Sequence, residues 1–222
     1  MSQLFASVNG QRATVASVTL PYYGLWEGDV QLATPQIITG TVTLVLGNLS
    51  LTGAMYRGAP FAGVTYLRLV GGAGGWRKSV PAQAYANPSA TGVRLSTVLG
   101  DVASAVGERV NLQADQTIGN YYIREVGTAS GVLRMLAGSE WYVDNAGVTQ
   151  IGARPSSAIT SPFTVVSWDA GKGLFDIATE DYASWLPGNT FTAPTVPTAQ
   201  TVSMVRHDVG NDGIMRMKVL AS

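Results

Sequence analysis

Over residues 1–70, apolar and polar side chains alternate in short runs, the period-two pattern of strands with one buried face. Residues 13–20 (ATVASVTL) are rich in β-branched side chains. Residues 21–24 (PYYG) follow as a turn. Residues 25–33 put Trp26, Val30 and Leu32 on one face if Gly28 sits in a bulge or bend. Residues 41–46 and 49–52 flank Gly47-Asn48, a two-residue hairpin signal. Residues 64–70 form the next strand, and the run GGAGG at 71–75 ends it. Strands at this spacing predict a small barrel or sandwich.

The period then changes. Leu95, Val98, Leu99, Val102 and Val106 recur at helical spacing. Ser96 is placed to cap the start of this helix and Gly107 to end it in a left-handed conformation. Thr128 or Ser130 opens a second helix carrying Val132, Leu133 and Leu136, with Gly138 as its stop. Residues 141–143 and 148–151 flank DNAG at 144–147 as a hairpin. The middle of the chain reads as α+β.

From 153 onward the pattern returns to β. Residues 163–168 make a strong strand and 173–178 a weaker one. Residues 187–197 hold three prolines and read as a loop with extended pieces. Residues 200–207 and 213–220 form a terminal hairpin around 208–212. The predicted fold class is mainly β with an α+β insert. Two tube-like β barrels or sandwiches (1–72 and 153–222) flank a small α+β domain (73–152). There is no clean sequence repeat between the two β parts, so their relation rests on layout.

Composition narrows the function. Of 222 residues, 46% are hydrophobic and only 13% charged, with 26 glycines. Low charge with abundant Gly, Thr and Val suits strands covered by other subunits. Fourteen basic residues balance 14 acidic ones, which favours neither nucleic acid nor a cationic partner. The absence of cysteine excludes disulfides, thiolate metal sites and cysteine nucleophiles. The N-terminus has no basic segment leading into an apolar run, so no secretory signal is expected. No stretch approaches the ~18 apolar residues of a membrane span, and synthesis in a cytoplasm is the default.

Lys78-Ser79 after the glycine run resembles a phosphate loop, but Arg77 occupies the required glycine position and also breaks a dinucleotide pattern counted from Gly72 or Gly74. The alternative is a junction, with Gly71, Gly72, Gly74 and Gly75 turning the chain sharply and Trp76 as a packing anchor. His207, the single histidine, cannot build a multi-histidine metal site and is expected to be solvated, or a structural donor, at a hairpin end. No Gly-x-Ser-x-Gly is present. Glu180 and Asp181, with Asp176 and Asp169 nearby, are too close in sequence to face each other across a cleft. Residues 208–212 resemble a calcium loop only superficially and read as a solvated turn. The five tryptophans and nine tyrosines could form a sugar-binding surface, but their spread through apolar alternation suits core or interface packing. No catalytic, metal or cofactor set emerges.

Residues 70–85 (VGGAGGWRKSVPAQAY) and 93–108 (VRLSTVLGDVASAVGE) resemble the baseplate hub proteins of tailed bacteriophages. Residues 18–30, 132–136 and 141–152 resemble that family's opening barrel, second helix and hairpin, so the likeness covers about two thirds of the chain. It implies a homotrimer in which two barrels per subunit build a pseudo-six-fold ring continuing the tail tube. It further implies a tail-tube or distal tail protein above and a spike or central fibre protein below. DNA would pass through the lumen without specific binding, and polar or acidic side chains are expected to line it. The particle is assembled in the host cytoplasm and the protein resides in the virion. At 222 residues the chain is short for the family, implying that the large C-terminal domain is missing. The competing reading is a carbohydrate-binding β module for host-surface recognition; a hydrolase ranks last.

Overall fold

The computed structural model describes residues 5–89, 91–194, 196–210 and 214–222, with Pro197 by its backbone alone. Six strands open the chain: β1 (Ala6–Val8), β2 (Gln11–Pro21), β3 (Glu27–Leu32), β4 (Thr41–Leu46), β5 (Leu49–Phe61) and β6 (Val64–Gly71). They pair antiparallel in the order β1-β4-β5-β6-β3-β2, and β1 also pairs with β2, so the ring of strands closes into a barrel. Closure follows from the alternation. Val42, Leu44 and Leu46 of β4, Leu49 and Leu51 of β5, and Leu67 and Leu69 of β6 all point inward and are buried. The Gly47-Asn48 turn joins Leu46 to Leu49 as expected. Gly28 is not bulged. It pairs in regular register with Val18 and Leu69, and Trp26, Gly28, Val30 and Leu32 share the inner face by simple alternation. The bulge lies opposite, at Thr14 of β2.

The middle segment contributes β7 (Ser79–Val80), β8 (Gln83–Ala86), β9 (Val93–Arg94), α1 (Leu95–Val106), β10 (Val110–Leu112), β11 (Thr117–Gly119), β12 (Tyr121–Arg124), β13 (Gly127–Thr128), α2 (Ala129–Ala137), β14 (Trp141–Val143) and β15 (Thr149–Ile151). The predicted helical face of α1 is buried in full, against Trp76, Val80, Ala129, Leu133 and Ile151. Gly107 ends α1 at φ 78°. Thr128 caps α2 by accepting from the Gly131 N–H. Ser96 does not cap α1. The cap residue is Arg94, and Asp115 from a later loop accepts from both the Ser96 N–H and hydroxyl. A carboxylate remote in sequence therefore does the capping, which local pattern could not reveal.

The final strands are β16 (Phe163–Asp169), β17 (Leu174–Thr179), β18 (Thr190–Ala193), β19 (Val196–Val209) and β20 (Met215–Ala221). They extend the first sheet through β2, in the order β2-β19-β20-β17-β16, with β18 on the free half of β19. One core therefore runs through both β parts, from Val8 and Trp26 to Phe175, Trp185 and Val219.

The two β parts repeat one plan. β19, β20, β17, β16 and β18 are neighbours in the same way as β2, β3, β6, β5 and β1. Their irregularities match as well. β2 bulges at Thr14, whose hydroxyl donates to the Gln31 carbonyl at 3.2 Å. β19 bulges at Ser203, whose hydroxyl donates to the Leu220 carbonyl at 2.9 Å. The β5–β6 ladder bulges at Tyr56 and the β16–β17 ladder at Val166. Counted from Thr14 and Ser203, Val18 and His207 are equivalent, and they pair directly across the β2–β19 seam. A local two-fold relation passes between them. Among the described residues, β4 has no counterpart in the second part.

Candidate functional site: a filled anion cradle and an open strand edge

The glycine run leaves β6 at Gly71 and folds back over the start of the insert. Gly72 and Gly74 take left-handed conformations, φ 79° and 74°. This points successive backbone N–H groups to one side, the geometry of an anion nest. The nest is occupied by the protein itself. The buried Glu108 carboxylate accepts from the Ala73 N–H at 2.9 Å and from the Gly75 N–H at 2.6 Å. Neither Gly72 nor Gly75 has room for a side chain: a Cβ on Gly72 would lie 2.6 Å from Glu108 Oε2, and one on Gly75 would enter the Val106 carbonyl. Trp76 is buried, and its indole N–H donates to the Thr149 hydroxyl at 2.9 Å. Its carbonyl accepts from Ser130 at the start of α2. The structure thus brings Gly71, Gly72, Gly74, Gly75 and Trp76 together with Glu108, which sequence reasoning did not single out. Glu108 immediately follows Gly107, the helix stop, and that adjacency was the available signal.

Arg154 makes a second joint. Its guanidinium lies 4.0 Å from the Tyr142 ring centroid and donates to the carbonyls of Tyr22 (3.0 Å), Pro21 (3.3 Å) and Pro187 (3.3 Å). It thereby touches the first β part, the insert and the last β part at once. Burial lowers its pKa from the usual guanidinium value.

Among the described residues no group of three or more His, Asp or Glu side chains is placed to hold a metal ion. His207 is wholly buried in the middle of β19, against the expectation of a solvated or hydrogen-bonding hairpin-end residue. Both ring nitrogens lack hydrogen-bond partners, and the Tyr182 ring packs edge-on at 5.9 Å. Burial lowers its pKa to about 4, so the ring is neutral. The apolar inward position set by the local two-fold relation overrides the polarity of the side chain. Asp181 is held below its ordinary pKa, first by the Ser184 hydroxyl and then by Asn48, and so serves a turn. Asp169 pairs with Lys172. Asn211 and Asp212 of the 208–212 loop reading, and Gly213 at the start of the 213–220 strand reading, lie outside the described residues. Trp26, Trp76 and Trp185 are core residues, whereas Trp168 is half-exposed.

Concave surfaces among the described residues include a groove, a slot and a hollow of about 450 Å³ between β2 and the β19–β20 hairpin. A groove of about 610 Å³ lies on the outer face of β2, β3, β5 and β6. Arg68 and Asp29, which line it, are paired; Arg68 also pairs with Glu27, and Arg77 pairs with Glu27 while stacking on Tyr56. A slot of about 490 Å³ separates the edge of β16 from the end of β18, and no charged residue lines it.

The arrangement of strands decides the comparison. The chain has the fold of phage tail proteins. A tail protein from Neisseria meningitidis MC58 matches with a TM-score of 0.65 and 11% identity, over 97% of this chain and 94% of that one. The Escherichia coli c3393 protein, described as a type VI secretion component structurally similar to T4 bacteriophage tail proteins gp27 and gp5, matches with a TM-score of 0.63 and 10% identity, over 97% and 76%. The 43 kDa tail protein of prophage MuSo2 from Shewanella oneidensis matches with a TM-score of 0.63 and 8% identity, over 98% and 96%. By sequence, neither a family model nor a curated protein matches. The baseplate hub-like fold expected from the glycine run and the α1 motif is therefore borne out. Among the described residues no helix is long and apolar enough to cross a membrane.

Proposed function

We propose that the protein is a non-enzymatic structural component of a phage tail tip or baseplate, a hub ring that continues the tail tube. The observation that carries this is the repeated barrel plan joined across β2 and β19, in a fold shared with tail proteins. Two β parts of one plan per chain, the first closed and the second open, let three chains present six related units, in keeping with a six-fold tube. Residues 1–72 and 153–222 are then the ring-forming parts and 73–152 the outer decoration. The Gly71–Trp76 turn, locked by Glu108, fixes the insert against the first barrel. A tail-tube or distal tail protein would stack above and a spike or fibre protein below. An evenly balanced charge suits a conduit that must not retain DNA through counterion release.

The test is mass photometry with negative-stain imaging of the purified chain. A species three times the 23.3 kDa chain mass with a central channel is expected. A persistent monomer retained on a glycan resin would instead favour a carbohydrate-binding module.

A further inference from the structure

The first barrel closes because β4 bridges β5 and β1. In the second β part the equivalent strands are β16 and β18, and among the described residues no strand lies between them. One end of the gap is closed by the chain itself, where Ala158 bridges Thr190 and the Ile159 N–H donates to the Thr190 carbonyl at 2.7 Å. Beyond that point the two strands diverge. The slot between them is lined by residues 161–165 and 192–194. β16 pairs only with β17, so its outer backbone groups face the slot without a strand partner.

Apart from its bulge at Val166 and the charge at its end, this edge lacks the protections that isolated edge strands normally show. It is seven residues long, has no proline, and has no charge before Asp169 at its end. Val166 is 64% exposed and Trp168 is 39% exposed. The edges of the first barrel are consumed by closure.

We propose that the β16 edge is a strand-acceptor site for a different polypeptide. That partner contributes an extended, uncharged segment of alternating apolar and polar residues, running antiparallel to β16 into the slot. Direction and chemistry both come from β4. It runs antiparallel to β5, the equivalent of β16, and its sequence TVTLVL alternates without charge. A second copy of this chain is a poor donor. A strand lying between β16 and β18 needs both edges free, whereas each described strand, β16 and β18 included, is already paired along at least one edge, and the projecting arm of β5 carries Arg57 and Pro60. Backbone pairing would give affinity, and the neutral lining would select against charged segments.

The proposal is tested on the full chain with a synthetic peptide copying residues 40–47 between lysine ends. The same segment is also fused to the C-terminus through a Gly/Ser linker, which raises its effective concentration. Amide exchange of residues 163–169 should slow by roughly tenfold or more in the fusion, relative to a fusion with the alternation scrambled. Val166→Lys, at an exposed edge position, should abolish the protection without lowering the thermal midpoint. Equal exchange in the two fusions would overturn the proposal. So would β16 protection that appears on self-association of the unfused chain and is lost with Val166→Lys, because a second copy would then be the occupant. Mass photometry of the same samples reports ring formation separately, so failure of the slot and failure of the ring are read on different instruments.

Discussion

Glu108 Oε1 sits 2.6 Å from the Gly75 amide nitrogen, inside a nest that the glycine run would otherwise offer to a phosphate. The resemblance to a nucleotide loop is thus real at the level of backbone geometry and empty at the level of function. The anion is a side chain of the same domain, placed there by the αL stop at Gly107.

Removing that anion should be costly. Glu108→Ala leaves the Ala73 and Gly75 N–H groups without their charge-assisted acceptor in a buried site, which predicts a loss of about 2–4 kcal/mol. Glu108→Gln keeps one acceptor oxygen and should lose less. Urea denaturation of both variants checks the order; equal stability of Glu108→Ala and the wild type would show that the nest contributes nothing.

The glycines themselves are a separate constraint. Gly72→Val combines a left-handed backbone with a Cβ 2.6 Å from Glu108 Oε2, and Gly75→Val collides with backbone. Each is expected to destabilise by about 2–4 kcal/mol or to prevent folding. A Cβ on Gly74 meets the Ala54 side chain at 3.3 Å and Val70 at an ordinary 3.8 Å, so for Gly74→Val conformational strain should dominate and the effect should be smaller. Thermal midpoints of the three variants rank these causes.

His207 predicts an acid sensitivity. Its folded-state pKa of about 4 lies below the ordinary value near 6.5. As pH falls from 6.5 toward 4, the unfolded chain takes up a proton that the folded chain refuses. Stability therefore drops across that window, by about 3 kcal/mol in full. Neighbouring Asp208, which opposes the shift, is engaged with Arg206. His207→Val installs the residue found at the equivalent position, Val18, and removes two unpartnered nitrogens. It should match the wild type at pH 7.5 to about 1 kcal/mol and exceed it at pH 4.5 by about 2 kcal/mol. Urea midpoints at the two pH values decide, and parallel pH profiles would refute the assignment.

Arg154→Ala should loosen the joint between the three parts of the chain. Three carbonyls lose their donor and Tyr142 loses its stacked cation, for an expected cost of about 2–4 kcal/mol. Hydrogen exchange should rise around Tyr22, Tyr142 and Pro187 together. Arg154→Lys, which lacks the planar fork, should recover only part of the loss.

Local physics made much of this fold readable in the sequence. Alternation located β2 to β6, β16, β17 and the terminal β19–β20 hairpin, because a strand with one wet face must alternate, whereas β1, β18 within the proline-rich 187–197 and the short insert strands β8 to β12 were too brief to show a period. The 3.6-residue spacing from Leu95 to Val106 marked α1, because a helix has one buried stripe. Gly107, Gly47-Asn48 and Thr128 marked ends and turns, because those conformations favour few residue types. The closing of β1 on β2, the sharing of β2 with β19, the capping of α1 by Asp115 and the filling of the glycine nest by Glu108 were decided only in the tertiary structure. Each joins residues distant along the chain, and the pairing energy depends on which backbone edges meet. The kinship of the two β parts was likewise invisible at the level of residue types. Matching bulges at Thr14 and Ser203 reveal it, and a bulge is a property of register. His207 shows the same divide: its sequence proposed a polar residue at the surface, and the fold placed it in a valine's position.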